Sequence, residues 1–140
     1  MSDDPLFERL VPILRRDEGW ALRAYTDTRG HLTIGCGHNL EVPITNAAVL
    51  QILRDDVAAV REQLEHYRWF LNLDTVRQGA IINAGFMGVA TLLGFRRMID
   101  ALDRGDWQAA SVELLDSDYA RQVGQRAQRL AAQLATGEWV

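Results

Sequence analysis

Several features that define other protein classes are missing from this chain of 140 residues. The single cysteine, Cys36, excludes an internal disulfide, so folding does not depend on a redox compartment. No apolar run approaches the roughly 18 residues that a membrane-spanning helix needs. The start, MSDDPLFERL, has two Asp where a secretory signal would place Lys or Arg, which predicts no export signal. At 140 residues, the chain is most simply a single globular domain over residues 1–140.

Lysine is also absent, since all 15 basic residues are Arg. The net charge of −4 lacks the electrostatic footprint of a nucleic-acid binder, so no nucleic-acid partner is expected. Residues 119–136 are an exception, because they carry Arg121, Arg126 and Arg129 and no acid. This segment is open to two interpretations, a solvated helix face or a local site for an anionic group. The three His and Cys36 show no zinc-like spacing, which predicts no metal site.

The apolar periodicity indicates a mostly helical α+β protein whose helices and strands are segregated along the chain. Residues 5–18 have helical spacing behind an Asp cap, although the interior Pro12 can kink that helix. The short segments WALRAY and HLTIG flank the turn residues TDTRG and predict a β-hairpin, followed by an irregular exit. A long helix over residues 45–67 and several shorter helices then complete the chain. We expect Trp69, Trp107 and Trp139 to pack in the core.

The candidate catalytic residues lie where the first helix meets the hairpin. Glu18 ends the helix beside Trp20, where partial desolvation would favour the neutral acid. Asp27 lies on the polar turn and should stay ionised, while Thr33 on the second strand can hydrogen-bond a water. Glycosidic hydrolysis needs two carboxyl groups in such different environments, one as the acid and one as the base or nucleophile. Acidic residues are common, so the triple alone leaves a solvated surface as the more frequent alternative.

The segment RDEGWALRAYTDTRGHLTIGCGHNL resembles the active-site segment of phage-type lysozymes, the endolysins of glycoside hydrolase family 24. Their pattern is a Glu, eight residues, an Asp or Cys, five residues and a Thr, followed by Gly-x-Gly-His. Glu18, Asp27, Thr33 and residues 35–38 all fall on this pattern. Weaker similarity continues through DTVRQGAIINAGFMG and QRAQRLAAQLATGEW, so it covers most of the chain.

The resemblance implies a muramidase that cuts the β-1,4 bond between N-acetylmuramic acid and N-acetylglucosamine, without a cofactor. Glu18 would protonate the glycosidic oxygen, while Asp27 and Thr33 activate a water on the opposite ring face, with inversion. Phe86 matches an aromatic residue that lines the family's substrate cleft, and Arg126 matches an Arg that reaches across the cleft towards the catalytic Glu, here Glu18. His38 matches a histidine that forms a structural ion pair with an Asp on the long helix, here Asp55.

The implied fold has a small lobe, about 15–45, and a helical lobe, about 68–140. A long helix of about 45–67 connects them, and the N-terminal helix packs with the helical lobe. The segment NLEVPIT is shorter than in the best-known members, which leaves the glycan-binding residues of the small lobe open. The cleft-lining positions that are Met98 and Glu113 here carry over no binding role.

Two alternatives remain open at this point. A lytic transglycosylase uses one Glu and needs no positioned Asp and Thr, and a wall-binding or tail structural module of the same fold needs no catalytic residues. The expected partner is the peptidoglycan glycan strand, with no stable membrane association and a monomeric state. Without an export signal, the protein is expected to wait in the host cytoplasm for release to the periplasm and cell wall, or to be carried by the virion.

Overall fold

The computed structural model describes residues 4–140, which divide into two compact units. The first unit ends at Val49 and the second unit is Leu50–Val140. In the described residues the helices outweigh a small antiparallel sheet, which confirms the predicted α+β, mostly helical, lysozyme-like class. None of their helices is long and apolar enough to cross a membrane.

Helix α1, Pro5–Glu18, begins and ends as the sequence predicts. The Asp4 carboxylate accepts a hydrogen bond from the Leu6 N–H at 3.0 Å, and Pro5 occupies the first turn, where a missing N–H has no cost. The helix continues through Pro12 and is capped by Gly19, whose φ of 87° most side chains avoid. This ending leaves Glu18 as the last helical residue.

The predicted hairpin is confirmed as β1, Ala21–Thr26, and β2, Leu32–Gly35. The expected irregular exit is wrong in part, because His38–Asn39 pairs with β2 as a short third strand, β3. The sheet order is β1-β2-β3, and all the pairing is antiparallel. In this register Thr33 on the central strand lies opposite both Tyr25 and Asn39.

The predicted long helix is α2, Asn46–Leu64, and the Thr45 hydroxyl accepts the Ala48 N–H at its start. The remaining helices are α3 Arg68–Leu71, α4 Thr75–Gly85, α5 Val89–Leu93, α6 Arg96–Asp103, α7 Trp107–Leu115, α8 Asp118–Val123 and α9 Gln125–Thr136. Helix α1 falls within the first unit, so its predicted grouping with the helical lobe stays a prediction.

The apolar core of the second unit is built where α7 packs against α6 and α9 and where α4 packs against α9. Its largest fully buried side chains are Phe70, Leu64, Ile81, Leu92, Met98, Leu114 and Leu134. Burial of side chains of this size is the main stabilising contribution, at about 1.5–3 kcal/mol each.

The tryptophans only partly follow the expectation of core packing. Trp69 is buried in the core, and Trp107 packs against the core while partly exposed. The prediction is wrong for Trp139, which is 66% exposed. Its ring covers Gly79 so closely that a Cβ built there would lie 2.6 Å from the indole, which is possible only because Gly79 lacks a side chain.

Candidate active site

Glu18 lies at the C-terminus of α1, directly over the backbone of Gly37 in the turn between β2 and β3. A Cβ built on Gly37 would lie 3.0 Å from Glu18 Oε2 and 3.2 Å from Glu18 Cβ. Gly37 has a φ of 69°, so both its backbone and the space above it require glycine. The expected desolvation of Glu18 is not observed: Glu18 is exposed, and the Trp20 ring lies 4.7 Å from the Arg15 guanidinium.

Asp27 closes the turn between β1 and β2 with its own carboxylate. Its Oδ1 accepts hydrogen bonds from the backbone N–H of His31 at 2.8 Å and of Arg29 at 2.9 Å. The hydrogen bond from the His31 N–H has the largest influence on the pKa of Asp27 and lowers it. Burial raises this pKa, while the Arg29 N–H and the charges of His31 and Arg29 lower it further. Asp27 therefore stays ionised, as its position on a polar turn predicts.

Thr33 is the central residue of the sheet and is only 3% exposed. Its hydroxyl donates its hydrogen to the His31 carbonyl at 3.0 Å. Because the only hydrogen of this hydroxyl is already donated, a neighbouring water can bond only to its lone pairs. Thr33 can therefore act towards water only as an acceptor, like the ionised Asp27.

The three predicted catalytic residues line one pocket of about 410 Å³, which lies wholly within the first unit. The pocket is polar, and its lining residues are Glu18, Tyr25, Asp27, Thr28, Arg29, Thr33 and Gly37. This volume falls in the range of pockets that bind small ligands or one part of a polymer. The pocket contains one carboxyl group on a helix end, one ionised carboxylate on a turn, and one hydroxyl acceptor, which is the donor and acceptor set of acid–base hydrolysis.

Phe86 and Arg126, the predicted substrate-binding residues, lie together in the second unit. Both line a pocket of about 330 Å³, and the Phe86 side chain is 43% exposed. The Arg126 guanidinium is held by Asn83, because Nε donates to Asn83 Oδ1 at 2.9 Å and Nη2 donates to the Asn83 carbonyl at 2.9 Å. The structure thus gives Arg126 a fixed position, while its reach towards Glu18 stays a prediction.

Comparison with known proteins decides the family. Residues 15–134 match the family described as phage lysozyme, a stretch that covers most of the chain. The chain belongs to the phage lysozyme family. Membership at this level identifies it as a peptidoglycan hydrolase of the glycoside hydrolase type.

Three similar proteins come from Dictyostelium discoideum and Enterobacteria phage T4. "Probable T4-type lysozyme 1" of Dictyostelium discoideum is 27% identical, covering 89% of this chain and 92% of the relative. "Probable T4-type lysozyme 2" of the same organism is 24% identical, with 91% and 94% covered. The "Pre-baseplate central spike protein Gp5" of Enterobacteria phage T4 is 29% identical over 97% of this chain but only 29% of its own length.

The remaining candidate residues each have their own surroundings in the structure. Arg121 pairs with Asp118 and Arg126 is held by Asn83, so the segment 119–136 does not present three free cations to one anion. His38 Nε2 is buried without a hydrogen-bond partner among the described residues, and the ion pair with Asp55 stays a prediction. Within residues 4–140, no group of His, Cys, Asp and Glu could hold a metal ion.

Sequence reasoning missed several residues that the structure brings to the two pockets, Thr28 among them. Tyr25, Arg29 and Gly37 join the catalytic candidates, and Asn83 fixes Arg126. A signal was present for Gly37, which stands in the Gly-x-Gly-His motif. No signal in the sequence singles out Tyr25 within β1. It lies next to Thr33 only because of the register in which β1 pairs with β2.

Proposed function

We propose that this protein is a muramidase that hydrolyses the β-1,4 bond between N-acetylmuramic acid and N-acetylglucosamine in peptidoglycan, with inversion at the anomeric carbon. The observation that carries the proposal is the shared pocket of Glu18, Asp27 and Thr33. Family membership supports the same class of reaction.

Glu18 supplies the general acid of the proposed reaction. In its neutral form it transfers its proton to the glycosidic oxygen as the bond from that oxygen to the anomeric carbon breaks. Its carboxyl is exposed on the last residue of α1, so it can approach a polymer that lies along the pocket. The close backbone of Gly37 limits the positions available to this carboxyl.

Asp27 and Thr33 supply the nucleophilic water. Asp27 Oδ1 is occupied by two backbone N–H groups, and no hydrogen bond to Oδ2 is found in residues 4–140. A water that donates one hydrogen to Asp27 Oδ2 and the other to Thr33 Oγ1 keeps its own lone pairs free for the anomeric carbon. Asp27 takes the proton as the new carbon–oxygen bond forms, and attack from the face opposite the leaving group inverts the centre.

Muropeptide analysis of digested peptidoglycan tests the proposal, with native protein compared with Glu18→Gln. Native protein should release fragments with reducing muramic acid ends, and Glu18→Gln should lower the rate at least about a hundredfold because the acid is lost. Glu8→Gln makes the same change at the exposed start of α1 and should retain the native rate. Circular dichroism confirms that both variants are folded.

Three results would contradict parts of the proposal. Anhydro-muramic ends would identify a lytic transglycosylase. Native-like rates for Glu18→Gln would exclude Glu18 as the acid. A β-anomer as the first reducing-end product, detected by NMR, would exclude inversion.

The setting of the activity has two candidates. We propose host lysis, in which the protein reaches the periplasm and wall from the cytoplasm after the inner membrane opens, acts as a monomer and does not stay on the membrane. Similarity to a baseplate spike protein of phage T4 favours the second candidate, a lysin carried in the virion. Mass spectrometry of purified virions distinguishes them, since only a virion lysin is present at a constant copy number per particle.

A further inference from the structure

The pocket that holds Glu18, Asp27 and Thr33 also contains one positively charged side chain. Arg29 is the only lysine or arginine among the residues that line this pocket. The same lining contains two carboxyl groups, those of Glu18 and Asp27. The charge of Arg29 reaches Asp27, since it contributes to the lowering of the pKa of that carboxylate. A cation is therefore part of the electrostatic environment in which the proposed substrate would bind.

The Arg29 guanidinium has no fixed partner in the structure. Within residues 4–140, no ion pair and no side-chain hydrogen bond holds it, and only its backbone N–H is used, donated to Asp27 Oδ1 at 2.9 Å. Other arginines are committed, such as Arg77 to Asp74 and Arg61 to Glu65. A guanidinium that is free on the wall of a pocket can bind an incoming anion with two parallel hydrogen bonds.

The proposed substrate creates a need for such a cation. Muramic acid carries a carboxyl on its lactyl group, and where a stem peptide is attached to that carboxyl the stem supplies carboxylates of its own. An ionised Asp27 repels these anions, and the chain as a whole has a net charge of −4. Without a local cation, the electrostatics at the pocket would oppose the approach of the strand.

Resting on the proposed muramidase function, we propose that Arg29 forms a carboxylate-binding subsite, which recognises a carboxylate of the muramic acid unit, on its lactyl group or on its stem peptide. Arg29 then determines specificity for charged strands over neutral ones. It takes no part in proton transfer, which belongs to Glu18 and Asp27.

The test measures kcat/KM on matched soluble strands. One pair is glycan freed of stem peptides, with its lactyl carboxylates either free or methyl-esterified. The second pair bears stem peptides, with their carboxylates either free or esterified. Native protein, Arg29→Gln and Arg29→Lys are compared, and Arg23→Gln on exposed β1 is the control because it makes the same change in net charge outside the pocket.

We expect native protein to prefer the charged member of at least one pair by about tenfold, which is the contribution of one charge-assisted hydrogen-bonded pair. Arg29→Gln should abolish this preference, Arg29→Lys should retain part of it, and Arg23→Gln should leave it intact. A preference in the stripped pair identifies the lactyl carboxylate, and one confined to the stem-bearing pair identifies the stem.

Two outcomes overturn the subsite. Native protein that cleaves charged and neutral strands equally shows no carboxylate recognition. Arg29→Gln that slows both members of each pair equally and shifts the pH profile shows that Arg29 acts only through Asp27. Failure of native protein to cleave any strand is a different result, because it contradicts the muramidase proposal itself.

Discussion

The two units of this protein are stabilised in different ways. Among the described residues up to Val49, Thr33 is the only one that is buried, whereas Leu50–Val140 contains a continuous apolar core. The first unit instead uses backbone hydrogen bonds, a carboxylate-closed turn and glycines of positive φ. The predicted catalytic residues all lie in this unit, so their positions depend on turn geometry and on few buried contacts.

This difference predicts that stability and catalysis can be changed separately. A substitution in the core of the second unit should lower the free energy of unfolding and leave the chemistry of folded molecules unchanged. A substitution in the turns of the first unit should alter the chemistry with a smaller effect on stability. Three predictions follow this division, from the largest expected effect to the smallest.

Arg77 is the polar group whose loss should cost the second unit most. It is 9% exposed, donates from Nε to the Leu134 carbonyl at 2.7 Å, pairs with Asp74 at 2.8 Å and stacks on Trp107 at 4.1 Å. Arg77→Ala leaves a carbonyl at the C-terminus of α9 without its partner and opens a cavity. The free energy of unfolding should fall by about 2–3 kcal/mol, measured by urea denaturation.

The matched control is Arg61→Ala, which removes an exposed i,i+4 pair with Glu65 and should cost less than about 1 kcal/mol. Activity of Arg77→Ala per folded molecule, measured well below its melting temperature, should equal that of native protein. Equal stability losses for the two variants would contradict the assigned role of Arg77.

Gly37, in the turn between β2 and β3, and Gly35, the last residue of β2, form a matched pair. Their φ values are 69° and 68°, so alanine adds similar backbone strain at either position, about 1–2 kcal/mol. Only at Gly37 would the new Cβ meet Glu18, since nothing lies within 4 Å of a Cβ at Gly35. Gly37→Ala should therefore lower kcat by about ten- to a hundredfold through displacement of the acid, while Gly35→Ala retains most of it.

Steady-state kinetics on soluble strands, with unfolding measured in parallel, separates these effects. The displacement should change kcat more than KM and alter the pH profile of Gly37→Ala. A similar loss of activity in both variants would show that turn geometry alone, and no contact with Glu18, is responsible.

The smallest expected effect is on the pH dependence of stability through Asp27. Its pKa is lowered in the folded protein, chiefly by the N–H of His31, so its contribution to stability is complete above the unfolded pKa of about 3.9. That contribution is lost as the pH falls through the lower, folded pKa. Asp27→Asn keeps an oxygen for the two N–H groups but removes the charge.

The stability difference between native protein and Asp27→Asn should therefore be constant above about pH 5 and shrink below about pH 4. Urea denaturation between pH 2 and 7 measures it. A difference that persists unchanged to pH 2 would show that the charge of Asp27 adds nothing to the turn.

Local patterns predicted most of the elements of the first unit correctly. The Asp–Pro start and Gly19 mark the two ends of α1, and the turn residues between β1 and β2 mark the hairpin. These features are predictable because caps and turns depend on residues that are close in sequence. Strand β3 was missed because two residues are too few to show a periodicity. Its existence depends on pairing with β2.

The contacts that refine the site could not be predicted in the same way. Gly37 lies under Glu18, and Asn83 holds an arginine that is 43 residues further along the chain. Trp139 packs its ring against Gly79 and is still 66% exposed, although tryptophan is highly buried on average. Each of these contacts joins segments whose separation in sequence carries no periodic signal.

By itself, the sequence determined the fold class, the helix and hairpin that carry Glu18, Asp27 and Thr33, and the resemblance of that segment to phage-type lysozymes. It could do so because capping, turn formation and apolar periodicity are local properties. Only the tertiary structure decided that Thr33 donates its hydrogen to the His31 carbonyl and that Arg29 lines the same pocket. The Thr33 hydrogen bond and the position of Arg29 depend on strand register and on the direction of side chains, which neighbouring residues in the sequence do not specify.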